Sequence, residues 1–238
     1  MSNPYLLLWL EAPLQAWGHD SKFGRRDSLD FPTKSGVLGL IACARGANEP
    51  QREWLAAWAD LDMQVLAYVP QNGQGQPLPR QPMLRDFHMV GSGYDDKDSW
   101  QTLLIPKKSD GGKAVGGGTK MTYRYYLQDM AFAVALQAPA ALAQEAAAAV
   151  QAPVWDLYLG RKNCVPTDFI YQGVFDSADE ALAQGEKLAE AKSRAFSFRA
   201  LQGEHEGEVI TLNDVPLQLG AHKTYRDRRV TVQKNRAG

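Results

Sequence analysis

Phe31-Pro-Thr-Lys-Ser-Gly-Val-Leu-Gly-Leu-Ile41 is the stretch on which the reading of this chain turns. Pro32 sets a sharp entry, and the Thr33 hydroxyl can satisfy a free N–H in the first turn of a helix that carries Lys34, Ser35 and Gly36. Free N–H groups, the positive end of the helix dipole and the Lys34 ammonium then point the same way, which makes a site for a phosphate. Gly36 and Gly39 each cost a helix about 1 kcal/mol against alanine, and close approach of a backbone or ligand is one physical use for them. The stretch lacks the Gly-x-x-x-x-Gly-Lys-Ser/Thr pattern of a P-loop, so nucleotide hydrolysis of that kind has no support. The plainer alternative is a capped helix with a solvated lysine.

The chain has 238 residues, enough for one large domain or two small ones with a real core. A net charge of −1 means that any basic face must come from uneven distribution. Two cysteines, Cys43 and Cys164, suggest neither a disulfide scaffold nor a four-ligand zinc site. The apolar run near the start is too short for a membrane span and lacks a basic flank for secretion. These features lead us to expect a reduced, cytoplasmic protein with no membrane association.

Tyr5 to Leu10 reads as a buried strand that stops at Glu11-Ala-Pro13, because proline cannot serve a central ladder. The polar loop that follows holds Lys22, Arg25 and Arg26 beside Trp17 and Phe23. Basic side chains interleaved with aromatics suit single-stranded RNA, through phosphate pairing and base stacking. The alternative is a solvated loop whose aromatics tuck into the core. The first helix is expected to end near Gly46, a second to span Glu53 to Trp58, and a strand to span Met63 to Val69. Met83 to Val90, with Arg85 and His88, reads as a strand leaving the body.

Gly91 to Thr122 is rich in glycine, with an acidic patch at Asp95–Asp98 and then Lys107, Lys108, Lys113 and Lys120. We read it as a projecting arm whose lysines can clamp a nucleic-acid backbone; a surface insertion is the alternative. Asp86 with Asp95 to Asp98 has no metal-site spacing, so no metal is expected. Thr122 to Leu127 and Ala131 to Gln137 are strand-like, and Pro139 to Val150 is helical. Strand, helix, strand, excursion, strand, helix is the order of a ferredoxin-like unit.

Pro153 begins a second region. In Tyr158-Leu-Gly-Arg-Lys-Asn-Cys164, Gly160 allows close backbone approach, and Arg161 and Lys162 can then grip a phosphate; a turn with solvated charges is the alternative. A helix is expected over Ser177 to Ala191, capped by Asp176 or Ser177. Ala195 to Ala200 and Val209 to Leu212 read as strands paired with each other. The tail from His222 is basic, with Lys223, Arg226, Arg228, Arg229, Lys234 and Arg236 against Asp227, a composition that attracts polyanions.

Five pieces of this sequence, in order, resemble the CRISPR-associated RAMP proteins of the CasD kind. They are Leu8-Trp-Leu-Glu-Ala-Pro-Leu-Gln-Ala-Trp-Gly18, Phe31-Pro-Thr-Lys-Ser-Gly-Val-Leu-Gly-Leu40, Arg85-Asp-Phe-His-Met-Val90, Thr122-Tyr-Arg-Tyr-Tyr-Leu-Gln-Asp129 and Tyr158-Leu-Gly-Arg-Lys162. The resemblance implies an α+β fold: a ferredoxin-like or RRM-like body over residues 1–152, a β-hairpin thumb inserted at about 83–124, and a smaller, mostly β region over 153–238. It implies a noncatalytic subunit of the type I-E Cascade complex that binds and caps the 5′ handle of the crRNA in antiviral defence. The implied partners are crRNA, the backbone subunit, the large subunit and, through the complex, target DNA; no cofactor is implied. The handle is expected on Lys22, Arg25, Arg26, Lys34, Ser35, Arg85, His88, Arg124, Arg161 and Lys162, with Tyr123 or Tyr125 stacking a base. Lys107, Lys108, Lys113 and Lys120 would reach the guide and the backbone subunit.

Two other readings stay open. Relatives in type I-C systems cut repeat RNA without a metal, a reaction that needs a base, an acid and a cation, for which His88, His222 and Lys223 are the candidates here. The lysine–histidine pair of those relatives has no counterpart in this chain, so the noncatalytic reading is preferred. The other is a generic RNA-binding module.

Overall fold

The computed structural model describes residues 3–19, 21, 24–48, 50–90, 97, 110 and 120–234. The chain is a mixed α/β protein built on a large antiparallel sheet. In chain order the elements are β1 (Tyr5–Gln15), β2 (Arg25–Arg26), α1 (Lys34–Ala44), α2 (Arg52–Ala56), β3 (Met63–Pro70), β4 (Leu84–Val90), β5 (Lys120–Gln137) and α3 (Ala140–Gln151). Then come β6 (Tyr171–Phe175), α4 (Ala178–Ala191), β7 (Arg194–Gln202), β8 (Glu208–Gln218) and β9 (Thr224–Lys234). The main sheet runs β6-β1-β5-β3-β7-β9-β8, and β2 and β4 pair with β5 off this path. Strands from both sides of residue 152 therefore hydrogen-bond in one sheet, joined where β1 meets β6 and where β3 meets β7.

The continuous apolar run at the start of β1 is explained by burial on both faces. Leu6, Leu8 and Leu10 enter the core beneath α1 and α3, while Leu7 and Trp9 enter a second core beneath α4. β5 divides the same way: Met130, Phe132, Val134 and Leu136 fill the first core, and Ala131, Ala133 and Ala135 the second. The alanine stripe lets α4 come close. A Cβ added at Gly185 of α4 would lie 2.6 Å from the Ala133 Cβ, so the helix needs glycine there. Ser177 is the cap of α4, its Oγ accepting from the Glu180 N–H at 3.2 Å.

Two expectations are corrected here. β1 does not stop at Glu11 but continues through Pro13 to Gln15. Its ladder with β6 ends at Leu8; beyond that point the same side meets loop residues, the Trp9 N–H donating to the Ile170 carbonyl at 2.8 Å and the Thr167 N–H to the Glu11 carbonyl at 2.9 Å, so no strand ladder calls on the missing proline N–H. Nor does β7 pair with β8: β9 lies between them, paired to both. The tail is thus a central strand, and its basic residues are largely matched with acids. Arg226 pairs with Asp60, Arg228 with Asp214, Arg229 with Glu204 and Lys234 with Glu208.

β5 serves two structures. Its second half is central in the main sheet, and its first half forms a two-stranded ribbon with β4. The change occurs at Asp129, whose φ is +49°. Arg194 clamps this bend: Nη1 donates to the Asp129 carbonyl at 2.9 Å, and Nη2 donates to Glu11 Oε1 at 2.6 Å and Asp129 Oδ1 at 2.9 Å. Of the expected arm, most of 91–119 lies outside the described residues, including Lys107, Lys108 and Lys113. Lys120 opens β5, in register with Val90.

Candidate nucleic-acid interface

The root of the β4–β5 ribbon gathers most of the residues the sequence singles out. Register places Arg85 opposite Tyr125, Phe87 opposite Tyr123 and Met89 opposite Met121 on one face. Asp86 opposite Arg124 and His88 opposite Thr122 lie on the other. The first face is aromatic and cationic. Phe87 and Tyr123 rings are 5.4 Å apart, the Arg85 guanidinium lies 5.4 Å from the Tyr123 ring centre, and Arg25 lies 4.8 Å from that of Tyr125. Tyr123 and Phe87 are each 46% exposed, so both rings remain open to a stacking partner. Arg25 is also paired with Asp27 at 2.7 Å. Arg26 joins the ribbon through β2, beside Arg124.

The second face is completed by the loop after α3. His88, Arg124, Tyr158, Gly160, Arg161, Lys162 and Asn163 line an open cleft of about 490 Å³. Close backbone approach fixes this loop. The Ala16 N–H donates to the Leu159 carbonyl at 3.1 Å, and Gly160 has φ +94°, with any Cβ falling 1.6 Å from the Ala16 oxygen. Only glycine fits. Arg161 is a pin as much as a ligand: Nη1 donates to the Tyr125 carbonyl at 3.0 Å, Nη2 to the Arg26 carbonyl at 2.8 Å, and the guanidinium lies 4.6 Å from the Tyr126 ring centre. Three of its five N–H donors remain. Lys162 is exposed and adjacent. The His88 ring is paired with Asp86 through Nε2.

The helix that opened the sequence reading behaves otherwise. Lys34 is fully buried. Its Nζ donates to the Leu61 carbonyl at 2.5 Å and the Ala59 carbonyl at 3.1 Å. Its backbone N–H donates to Asp214 Oδ2 at 2.7 Å. Asp214 is held in turn by Arg228, Nε to Oδ1 at 2.7 Å and Nη2 to Oδ2 at 2.9 Å. The expectation that Lys34 grips a phosphate at this helix end is therefore corrected: a carboxylate from β8 already occupies the end, and the ammonium points into the protein. Burial, and next the nearby Arg228 charge, pull the Lys34 pKa from 10.5 down to about 8. Thr33 does cap the helix, its Oγ1 accepting from the Gly36 N–H at 3.1 Å. Gly36 is accounted for by Trp17, whose ring would lie 2.8 Å from a Cβ.

Ser35 lines a second cleft, of about 350 Å³, with Trp17, Gly39, Tyr158, Lys223 and Tyr225. His88 and Lys223 thus line different clefts that share Tyr158 and Gly160, and His222, next to Lys223 in the chain, is exposed. Tyr158 was quoted in the sequence only as part of a motif, and its place between the two clefts has no sequence signal. Lys22 lies outside the described residues. Among the described residues no group of three or more His, Cys, Asp or Glu is arranged to hold a metal, and no helix is long and apolar enough to cross a membrane.

A large antiparallel sheet with a basic, aromatic ribbon root describes a nucleic-acid-binding class of α/β protein. Comparison with known proteins gives the family. Residues 5–233 match the family CRISPR-associated protein (Cas_Cas5), and the chain belongs to it. It is 30% identical over 232 residues to the CRISPR system Cascade subunit CasD of Escherichia coli (strain K12), covering 93% of this chain and 94% of that one. It is also similar to a chain of a CRISPR RNA-guided surveillance complex, with 28% identity, a TM-score of 0.68, and coverage of 97% of this chain and 90% of that one. A crystal structure of a Cas protein matches at 25% identity and TM-score 0.54, over 98% of this chain and 94% of that one.

Proposed function

We propose that this chain is a noncatalytic subunit of a type I-E Cascade surveillance complex that binds and caps the 5′ handle of the crRNA. The observation that carries the reading is the convergence of Arg85, His88, Tyr123, Arg124, Arg161 and Lys162 at the root of one ribbon, although they come from three separate segments of the chain. Cations beside an exposed ring suit a single strand, which offers phosphates and unstacked bases together. Likeness to a Cascade subunit and to a chain of an RNA-guided complex supports the same assignment.

A ferredoxin-like body is supported by the strand order β6-β1-β5-β3, with α1 and α3 packed on one face of it; because β6 is Tyr171–Phe175, that body takes in one strand beyond the expected boundary at 152. In this reading 153–238 extends that sheet, and the ribbon is the base of a thumb whose Lys107, Lys108, Lys113 and Lys120 meet the guide and the backbone subunit. The large subunit, and target DNA through the complex, complete the partner set.

The test is end-labelled CRISPR repeat RNA incubated with the purified chain in EDTA and run on native and denaturing gels. Intact RNA with a salt-sensitive, handle-dependent shift is expected. A discrete cut would move the assignment to a metal-independent ribonuclease and make His88, His222 and Lys223 the first mutants. Equal affinity for unrelated RNA would reduce it to a generic RNA-binding module.

A further inference from the structure

Gly39 lies in the middle of α1 and has no internal reason to be glycine. Its backbone has no positive φ, and an added Cβ would meet nothing within 4 Å. Alanine there would favour the helix. Gly36, one turn earlier, is explained by Trp17; the space at Gly39 opens instead into the cleft bounded by Trp17, Ser35, Tyr158, Lys223 and Tyr225. Among the described residues, Lys223 is the single charged one lining it. Trp17 forms a fixed wall, fully buried and with its Nε1 donating to Gln15 Oε1 at 3.1 Å. Tyr158 and Gly160 line both this cleft and the basic cleft at the ribbon root, so the two are neighbours with those residues between them.

Resting on the reading above, we propose that this cleft receives one unstacked nucleobase of the RNA strand bound at the ribbon root. The base lies against the bare α1 backbone at Gly39, beside the rings of Tyr158 and Tyr225, and an adjoining phosphate lies on Lys223. A nucleobase is flat and mostly apolar on its faces, which suits a glycine floor with aromatic walls. Lys223 matches one phosphate, and the neighbouring Arg124–Arg161–Lys162 surface, reached across Tyr158 and Gly160, accommodates the rest of the strand.

The experiment measures fluorescence anisotropy of a short single-stranded CRISPR-repeat RNA, together with a series of that RNA lacking one base at a time. Wild type is expected to lose roughly tenfold in affinity at one position of the series, the scale of a single stacked base. Gly39→Leu fills the cleft from a helix-favouring residue. It is expected to weaken the intact RNA by a similar factor, to abolish the extra loss at that position, and to leave the thermal midpoint in place. Should Gly39→Leu lower the midpoint, Lys223→Gln at its exposed position decides, with weaker binding and a shallower salt dependence expected. Wild-type affinity in the deciding variant, or a flat base-removal series, overturns the proposal. Lys162→Ala and Arg124→Ala separate the two levels. If they weaken binding while the cleft variants do not, only the cleft is wrong; if they too are silent, the ribbon-root interface falls with it.

Discussion

The Lys34 N–H, at the start of α1, donates to the Oδ2 of Asp214, 180 residues later in β8, at 2.7 Å. The positive end of that helix is thereby filled by the protein's own carboxylate. Arg228 grips the same carboxylate with two hydrogen bonds, and its Nη1 and the Lys34 Nζ both approach Gln202 Oε1 at 3.4 Å. A buried network of this kind ties the C-terminal strands to the first helix. Its expected signature is stability, not RNA affinity.

Lys34→Ala leaves the Leu61 carbonyl without its donor and the Ala59 carbonyl with only the Arg226 Nη2 bond at 3.3 Å, and opens a void, so it is expected to cost about 2–4 kcal/mol. The RNA affinity of the folded fraction should stay at the wild-type value. Denaturant melts beside anisotropy titrations check both parts, and a loss of affinity without loss of stability would return Lys34 to the interface.

The same residue gives a pH dependence. The unfolded chain holds the Lys34 proton up to its ordinary pKa of 10.5, and the folded chain only to about 8. The unfolded state therefore binds more protons between those values, so this group's contribution to stability rises with pH there. Its burial penalty is fully present below about pH 8. The difference in unfolding free energy between wild type and Lys34→Met should climb from pH 8 to 10.5. A flat or falling difference would mean that the lysine keeps its proton when folded.

Asp214→Ala removes one partner of a pair whose side chains are only 3% and 7% exposed. The Arg228 charge and the Lys34 N–H are left buried and unmatched, at an expected cost of about 3–5 kcal/mol. Adding Arg228→Met should recover part of that loss. A double variant no more stable than the single one would show that the ion pair is not the linkage.

At the ribbon root, Lys162 and Arg161 are expected to separate. Lys162→Ala should weaken RNA binding, lower the salt slope by about 0.7 for one phosphate on a single strand, and leave the melting midpoint alone. Arg161→Ala should lower both affinity and stability, because it also removes the bonds to the Tyr125 and Arg26 carbonyls. Arg161→Lys should not rescue it, since an ammonium cannot bridge two carbonyls and stack on Tyr126 as the planar guanidinium does. Equal behaviour of the two alanine variants would contradict the pinning role.

Gly160→Ala forces a side chain into the Ala16 carbonyl at a positive φ, and is expected to cost more than about 2 kcal/mol. The Arg161–Lys162 loop should detach before the sheet melts. Hydrogen exchange would then show lost protection at Ala16, whose N–H donates to Leu159, with β5 unaffected.

Local chemistry made much of this protein legible from its sequence. Thr33 and Ser177 are helix caps because a hydroxyl before a helix satisfies the nearest free N–H wherever the chain goes. The apolar run at Tyr5–Leu10 announces a doubly buried strand, and the residues flanking the arm announce a strand that leaves the body. Arg161 and Lys162 were legible as candidates because cations beside a glycine suit phosphates, and Arg85, His88, Tyr123 and Arg124 were candidates through the resemblance. What tertiary structure alone decided was which of these residues face outward together. Lys34 reads like the others, yet Asp214 and the Ala59 and Leu61 carbonyls turn it inward. Pro13 reads as a strand end, yet β6 stops short and a loop, not a strand ladder, lies beside it. β9 separates β7 from β8 although β8 follows β7 in the chain. Each of these outcomes depends on partners far away in sequence. A residue's type fixes which contacts suit it, but the direction its side chain takes is set by what the fold brings beside it.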